Sequence, residues 1–271
     1  MPTEPSRYIV QRNGHDADTD ALASLAFAGY AHFTAMQVRD RKIRGLDLHL
    51  DRLRKASMRM FGSALRDERI RAHLRRAIDA SPADASLTAT VYSPAGEFVV
   101  AGADIEPELL IRTSPAATGP RGPLSLAAVD YERPLAAIKH VGEVAKTHYL
   151  REAVAQGHDD AAFVDRQGRL SEATIWNLVF WDGEAVVWPI ADMLTGTTMG
   201  IVRRQLERLG VPQRSQEIRL DDLPNLAGAA VMNSWTPGIA VHRVGSVAMP
   251  DAPQFMETLH RAYGMEPQVE A

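Results

Sequence analysis

The chain has no cysteine among its 271 residues, which excludes disulfides, thiolate metal sites and a cysteine nucleophile. No apolar run of 18 residues is present to span a bilayer. No stretch of Lys and Arg is interleaved with aromatics, and 30 basic against 34 acidic side chains leave a net charge of −4. Neither nucleic acid nor a membrane is therefore an expected partner. The nine histidines include no His-x-x-x-His pair on a common face, and no metal is expected. Met1-Pro2-Thr3-Glu4-Pro5 lacks the basic stretch and apolar run of a secretory signal, so a soluble, cytoplasmic protein is the expectation. Internal repeats, low-complexity tracts and long charge blocks are also missing.

What is there is a core-forming composition: 45% of the residues are apolar, enough for one large or two ordinary domains. The clearest boundary is the Pro- and Gly-rich run Thr113-Ser114-Pro115-Ala116-Ala117-Thr118-Gly119-Pro120-Arg121-Gly122-Pro123. Residues 1–114 read as a small α/β domain, 115–123 as a linker and 124–271 as a larger mixed α/β domain. In the first, 32–38 and 86–92 have strand character, the second followed by a turn at Ser93-Pro94-Ala95-Gly96 and a strand ending near Val100. Helices are expected from about Leu48 to Met60 and from Asp67 to Ala80, where Ile70, Leu74 and Ile78 form one stripe. In the second domain a strand over 124–129 precedes a helix from His140 to Gln156, stopped by Gly157. A strand over 161–165 follows, then a hairpin turning at Asp182-Gly183, a type I′ signal, and a helix from Thr198 to Leu209. Strands close the pattern near 229–232 and 238–241.

The chemistry lies in Lys139, at a strand-to-helix junction, and Glu172, 33 positions on (172 − 139). A lysine amine forms a Schiff base with an aldehyde, and a carboxylate facing a pyridine nitrogen holds it protonated, so the pair points to pyridoxal phosphate. That cofactor also needs a phosphate site. Gly196, Thr197 and Thr198 open a helix with small residues and hydroxyls, a ready-made anion site. The turn at Asn233-Ser234 offers a second wall, and the Arg52 guanidinium a fixed positive charge. Each has a plainer alternative: a solvated surface lysine, a turn cap at Glu172, a polar helix face at Arg52, an ordinary helix cap at the threonines. Lys146 is the nearby rival to Lys139, but mid-helix it is expected on an exposed face.

Five segments in order, His-Leu-Asp-Arg-Leu at 49–53, Ile-Lys at 138–139, Ser-Glu-Ala-Thr-Ile-Trp-Asn at 171–177, Leu-Thr-Gly-Thr-Thr at 194–198 and Asn-Ser at 233–234, make the chain resemble the class IV aminotransferases. These are the fold-type IV pyridoxal phosphate enzymes, among them branched-chain and D-amino acid aminotransferases and aminodeoxychorismate lyase. The resemblance covers about residues 27–244 and implies a two-domain α+β fold. It makes Lys139 the Schiff-base lysine and proton carrier, and Glu172 the pyridine-nitrogen partner. Arg52, Gly196, Thr197, Thr198 and Ser234 become the phosphate cup. It further implies a homodimer whose site lies between domains, with a small amino donor and a keto acceptor as substrates. A lyase of the aminodeoxychorismate type and a non-catalytic binding relative remain the alternatives. The chain departs from many relatives in having Glu143 and Val144, rather than Asn and Tyr, four and five residues after the lysine; Glu143 is expected to face solvent. Phe33 stands where a tyrosine often meets substrate, and 91–98 holds no arginine to trap a carboxylate. Tyr131, Arg133 and His140 are candidates for polar contacts near Lys139.

Overall fold

A computed structural model describes residues 7–26, 29–96, 98 and 106–271. The chain divides into two compact units. The first takes residues up to Ala117 together with Ile138–Gly142 and Pro267–Ala271; the second takes Thr118–Ala137 and Glu143–Glu266. Among the described residues no helix is long and apolar enough to cross a membrane.

The first unit runs β1 (Val10–Arg12), β2 (His15–Asp16), α1 (Thr19–Ala26), β3 (Ala31–Arg39), β4 (Lys42–Arg44), α2 (Leu46–Phe61), α3 (Asp67–Asp79), β5 (Ala85–Tyr92) and β6 (Glu108–Pro115). Its strands pair antiparallel in the order β4-β3-β5-β6-β1-β2, with the terminal strand Gln268–Val269 added beside β4. Along β3, His32, Thr34, Met36 and Val38 are buried while the residues between them are half exposed, the period of two of a sheet covered on one face. α2 and α3 bring Leu46, Leu50, Leu53, Ile70, Leu74 and Ile78 to a core shared with Met36, Val38, Leu87 and Ala89. β6 includes Thr113-Ser114-Pro115, so the Pro- and Gly-rich connection starts later than its composition suggests. Pairing with the first strand explains this: Thr113 N donates to the Ile9 carbonyl at 2.9 Å. The strand expected to end near Val100 lies outside the described residues.

The second unit runs β7 (Leu124–Asp130), α4 (Val144–Ala155), β8 (Asp160–Val164), β9 (Leu170–Ala173), β10 (Asn177–Trp181), β11 (Val186–Pro189), α5 (Thr197–Arg208), β12 (Gln213–Gln216), a 3-10 turn at Leu220–Asn225, β13 (Gly228–Asn233), β14 (Thr236–Val244), β15 (Val247–Ala248) and α6 (Pro253–Gly264). Pairing proceeds β10-β13-β14-β7-β8-β9 and returns from β9 to β10 through Glu172 and Asn177, so six strands close on themselves. Leu178 and Phe180 of β10 join Leu126, Leu170 and Val231 in one cluster. Val179, between them, packs with Met199, Val202 and Leu206 of α5 and Leu259 of α6 in another. Two expectations shift. α4 starts at Val144 because His140 is held in a main-chain bridge with His32, which a helical residue could not make. The β10–β11 connection is the four residues 182–185, since Trp181 pairs with Val186 and the Asp182 carboxylate accepts from the amides of Glu184 and Ala185 at 2.9 and 2.7 Å.

Two buried histidines tie β3 to α2. His32 Nε2 meets Ser57 Oγ at 2.8 Å and Thr34 Oγ1 meets His49 Nδ1 at 2.6 Å. Burial pulls His32 down to about 4 and, reinforced by the neighbouring Arg52 charge, His49 down to about 3. The folded unit therefore resists protonation that the unfolded chain accepts below about 6.5. Stability is full above that pH and falls as pH drops through 6.5 toward 4, by about 1.4 kcal/mol per pH unit for each histidine. His49→Gln keeps a polar partner for Thr34 and removes one titration. Denaturant titrations between pH 6.5 and 5 should show roughly half the wild-type slope in this variant; an unchanged slope would exclude His49 as a source of acid sensitivity.

Candidate active site

Lys139 is fixed to β3 through the main chain. Along β3, β4 covers Val38 and Arg39, which leaves the other end of that edge to another partner. Residues 139–141 fill it: Phe33 N donates to the Lys139 carbonyl at 2.8 Å and Val141 N to the Ala31 carbonyl at 2.9 Å. Strand alternation turns His32 and Thr34 into the core and Phe33 to the opposite face. The Lys139 Nζ lies 4.9 Å from the centre of the Phe33 ring, within the range of cation–π attraction. Arg52, on α2, is half-buried; its neighbours Arg54 and Lys55 are exposed and pair with Asp51. Arg54, Lys55 and Arg59 are the exposed cations of that helix, and Arg52 is less exposed than they are.

In the second unit Glu172 is the centre. Register sets Glu172 of β9 opposite Asn177 of β10, and Asn177 opposite Met232 of β13, one row across three strands. The connection between β9 and β10 is held rigid by Asp160, a buried carboxylate that accepts from Thr174 Oγ1 at 2.6 Å, Trp176 Nε1 at 2.9 Å and Ala161 N at 2.7 Å. Such saturation is what lets a charge stay inside. Glu172 is itself buried: its Oε1 accepts from Arg133 Nε at 2.8 Å, between side chains only 4% and 2% exposed. Arg133 also reaches Glu143 Oε1 at 3.2 Å and the Ala136 carbonyl. Lys146 Nζ stands 3.8 Å from Glu143 Oε1 and 3.9 Å from Glu172 Oε2. Two cations and two carboxylates thus share one enclosed corner. Burial pushes the Lys146 amine below the usual lysine range, Arg133 adds to that, and Glu172 and Glu143 oppose it.

The same row meets the start of α5. Asn177 Nδ2 donates to the Leu194 carbonyl at 2.6 Å, and a Cβ on Gly196 would come within 1.9 Å of Asn177 Oδ1, so only glycine lets the chain pass there. Gly196 is the N-cap, with no side-chain cap bond; Thr197 and Thr198 occupy the first helical positions and are buried. The first amides of a helix have no intrahelical acceptor, and a helix start of this kind, with two threonines in its first turn, is one that could hold an anion. Ser234 and Trp235 form the turn between β13 and β14, closed by the Asn233–Thr236 pair and by Trp235 N donating to Asn233 Oδ1 at 2.8 Å.

The structure corrects two expectations. Lys146 is buried rather than exposed, and Glu143 faces Arg133 and Lys146 rather than solvent. Both follow from α4 lying over β7 and β8: Lys146 shares a stripe with Tyr149 and Ala153, and Ala153 is packed against Ala127, Ala161 and Phe163. That 146, 149, 153 spacing is legible in the sequence, but a lysine on it reads as solvent-facing unless its counter-charges are known. Arg133 contacts Glu172. Asp160 and Asn177 carry no signal beyond a buried-strand position and a motif end, yet they hold the row together.

Residues 31–244 match the family model Amino-transferase class IV. A probable branched-chain-amino-acid aminotransferase of Rickettsia felis is 28% identical over 121 residues, 42% of this chain and 41% of that protein. The matched stretch thus spans about two fifths of that relative. The branched-chain aminotransferase of the archaeon Thermoproteus uzoniensis, solved with norvaline, aligns over 94% of each chain with a TM-score of 0.83 at 15% identity. A hypothetical aminotransferase from Mycobacterium tuberculosis, in a PLP-bound form, aligns over 94% of this chain and 98% of its own with a TM-score of 0.78 at 22% identity. At such identities the solved structures speak for the mixed α/β fold, while the family match spans β3 to β14 and every motif quoted above. The chain belongs to the class IV aminotransferases.

Proposed function

We propose that this protein is a pyridoxal phosphate-dependent aminotransferase that moves an amino group between an amino acid or amine and a keto acid or ketone, with Lys139 as its catalytic lysine. The observation that carries the reading is Glu172: a buried carboxylate, oriented by Arg133, paired across the strands with Asn177, whose side chain bonds the turn that opens α5. Pyridoxal phosphate, when bound, supplies a carrier for the amino group and a sink for electrons. Glu172 holds a proton at the ring nitrogen, and the Lys139 Nζ takes a proton from the substrate α-carbon and returns it. The Thr197 and Thr198 amides and hydroxyls, the Ser234 hydroxyl and the Arg52 guanidinium bind phosphate oxygens. Gly196 keeps the approach to those amides clear. By resemblance the working form is a homodimer, which sedimentation of the purified protein checks.

Three outcomes test the reading. Borohydride reduction of the protein with pyridoxal phosphate should add the cofactor's mass to the peptide that carries Lys139, and Lys139→Ala should lose both the label and turnover with a panel of L- and D-amino acids and amines. Labelling at Lys146 would overturn the assignment.

Arg52→Ala should weaken cofactor affinity by about ten- to a hundredfold in equilibrium titration, with Arg52→Lys recovering only part of the loss because an ammonium lacks the two-pronged geometry. Unchanged affinity in Arg52→Ala would return that residue to an ordinary helix face.

Gly196→Ala has no backbone reason to fail, since φ is −64° there. Its methyl would displace the Asn177 side chain and break the bond to Leu194. Cofactor affinity should fall by roughly tenfold or more, and wild-type affinity would remove this turn from the phosphate site.

A further inference from the structure

Glu143 and Lys146 stand one helical turn apart at the start of α4, and both face the buried Glu172–Arg133 pair. We propose that Glu143 and Lys146 are a charge-balancing couple that sets the electric field at Glu172, and so tunes protonation of the bound cofactor without touching it. The inference rests on the cofactor reading above. Its physical basis is the sum of the corner. Arg133 bonds Glu172 Oε1 directly at 2.8 Å, whereas Lys146 faces Oε2 at 3.9 Å, too far for a hydrogen bond. That amine therefore biases the oxygen without occupying it. A buried lysine with only Glu172 to balance it would leave Arg133 uncompensated, and Glu143 supplies the missing negative charge: its Oε1 is 3.2 Å from Arg133 and 3.8 Å from Lys146. A glutamate at that helix start is tolerated because two cations meet it, and a buried lysine because two carboxylates do. Burial disfavours the charged form of that lysine, and Glu172 and Glu143 oppose the effect.

Among the described residues, the charged groups that face Lys146 are Glu143 at the head of its own helix, Arg133 in the segment after β7, Asp160 on β8 and Glu172 on β9. Tyr131 stands in the same field, its hydroxyl raised by burial and by Glu143 and lowered by Arg133. Both members of the couple are positioning residues, and opposite charge gives them opposite effects. Removing Lys146 leaves the corner more negative and favours the protonated cofactor; removing Glu143 does the reverse.

The test is a pH titration of the visible absorption of protein loaded with pyridoxal phosphate. Lys146→Met should raise the midpoint between the two absorbing forms by about half to one pH unit, and Glu143→Gln should lower it by a similar amount. The double variant should return close to the wild-type midpoint. A purely structural role would not give shifts of opposite sign that cancel. Unmoved midpoints in both single variants, or shifts that add instead of cancelling, overturn the proposal while leaving the cofactor reading intact. A wild-type protein with no cofactor band overturns both. Should Lys146→Met fail to fold, Glu143→Gln against the double variant decides, with Lys146→Arg expected to keep the wild-type midpoint; a Glu143→Gln shift left uncorrected in the double variant overturns the couple.

Discussion

The ion pair between Glu172 and Arg133 is the constraint around which the second unit is arranged. A carboxylate this deeply enclosed is tolerable only when paired and hydrogen-bonded, and removing its partner would cost about 3–5 kcal/mol. The surrounding chain supplies what that pairing requires. Asp160 gathers Thr174 and Trp176 so that β9 and β10 meet at Glu172 and Asn177, which also closes the six-stranded ring. Asn177 then pins the loop that opens α5. A change in the position of the carboxylate would be passed along this row to the start of the helix.

The cost of that arrangement is spread over residues that an apolar core would not contain. Arg133, Lys146, Asp160 and Glu172 are all buried, and each meets an opposite charge or a set of donors. The first unit behaves differently. Two of its interior titratable groups, His32 and His49, are held neutral by burial and bonded to hydroxyls, so that unit trades charge for sensitivity to acid. One fold class hosts several chemistries; in this chain the corner around Glu172 holds two cations, Arg133 and Lys146, and a second carboxylate, Glu143.

Much of the architecture was legible because it obeys simple periods. The alternation in β3 and β5 and the stripes of α2, α3 and α5 set their elements to within a few residues. The hairpin turn at Asp40-Arg41 was not, since both residues adopt left-handed φ angles of 49° and 60° without glycine. Arg41 is held there by bonds from its guanidinium to the carbonyls of Ile78 and Ser81, contacts that local sequence cannot announce. Residues 140–142, expected to open the helix that runs on to Gln156, escaped for a similar reason: their pairing partner is β3, a hundred residues earlier, which the local sequence does not announce. Among the candidate site residues, Lys139, Glu172 and the Gly196-Thr197-Thr198 turn are proposed on motif order. The burial of Lys146 and Glu143 depended on which face of α4 meets β7 and β8, and two charged residues on that face defeat a reading based on hydropathy.

The central claim is that a fixed negative charge at residue 172 serves proton transfer at the substrate, and Glu172→Gln addresses it with little change of shape. The measurement is exchange of the α-hydrogen of an accepted amino donor with deuterated solvent, followed in wild type and variant at saturating pyridoxal phosphate. The account predicts that the variant keeps its cofactor and exchanges roughly tenfold slower or more, because a neutral amide cannot hold the ring nitrogen protonated. Exchange at the wild-type rate, with cofactor bound, would contradict it.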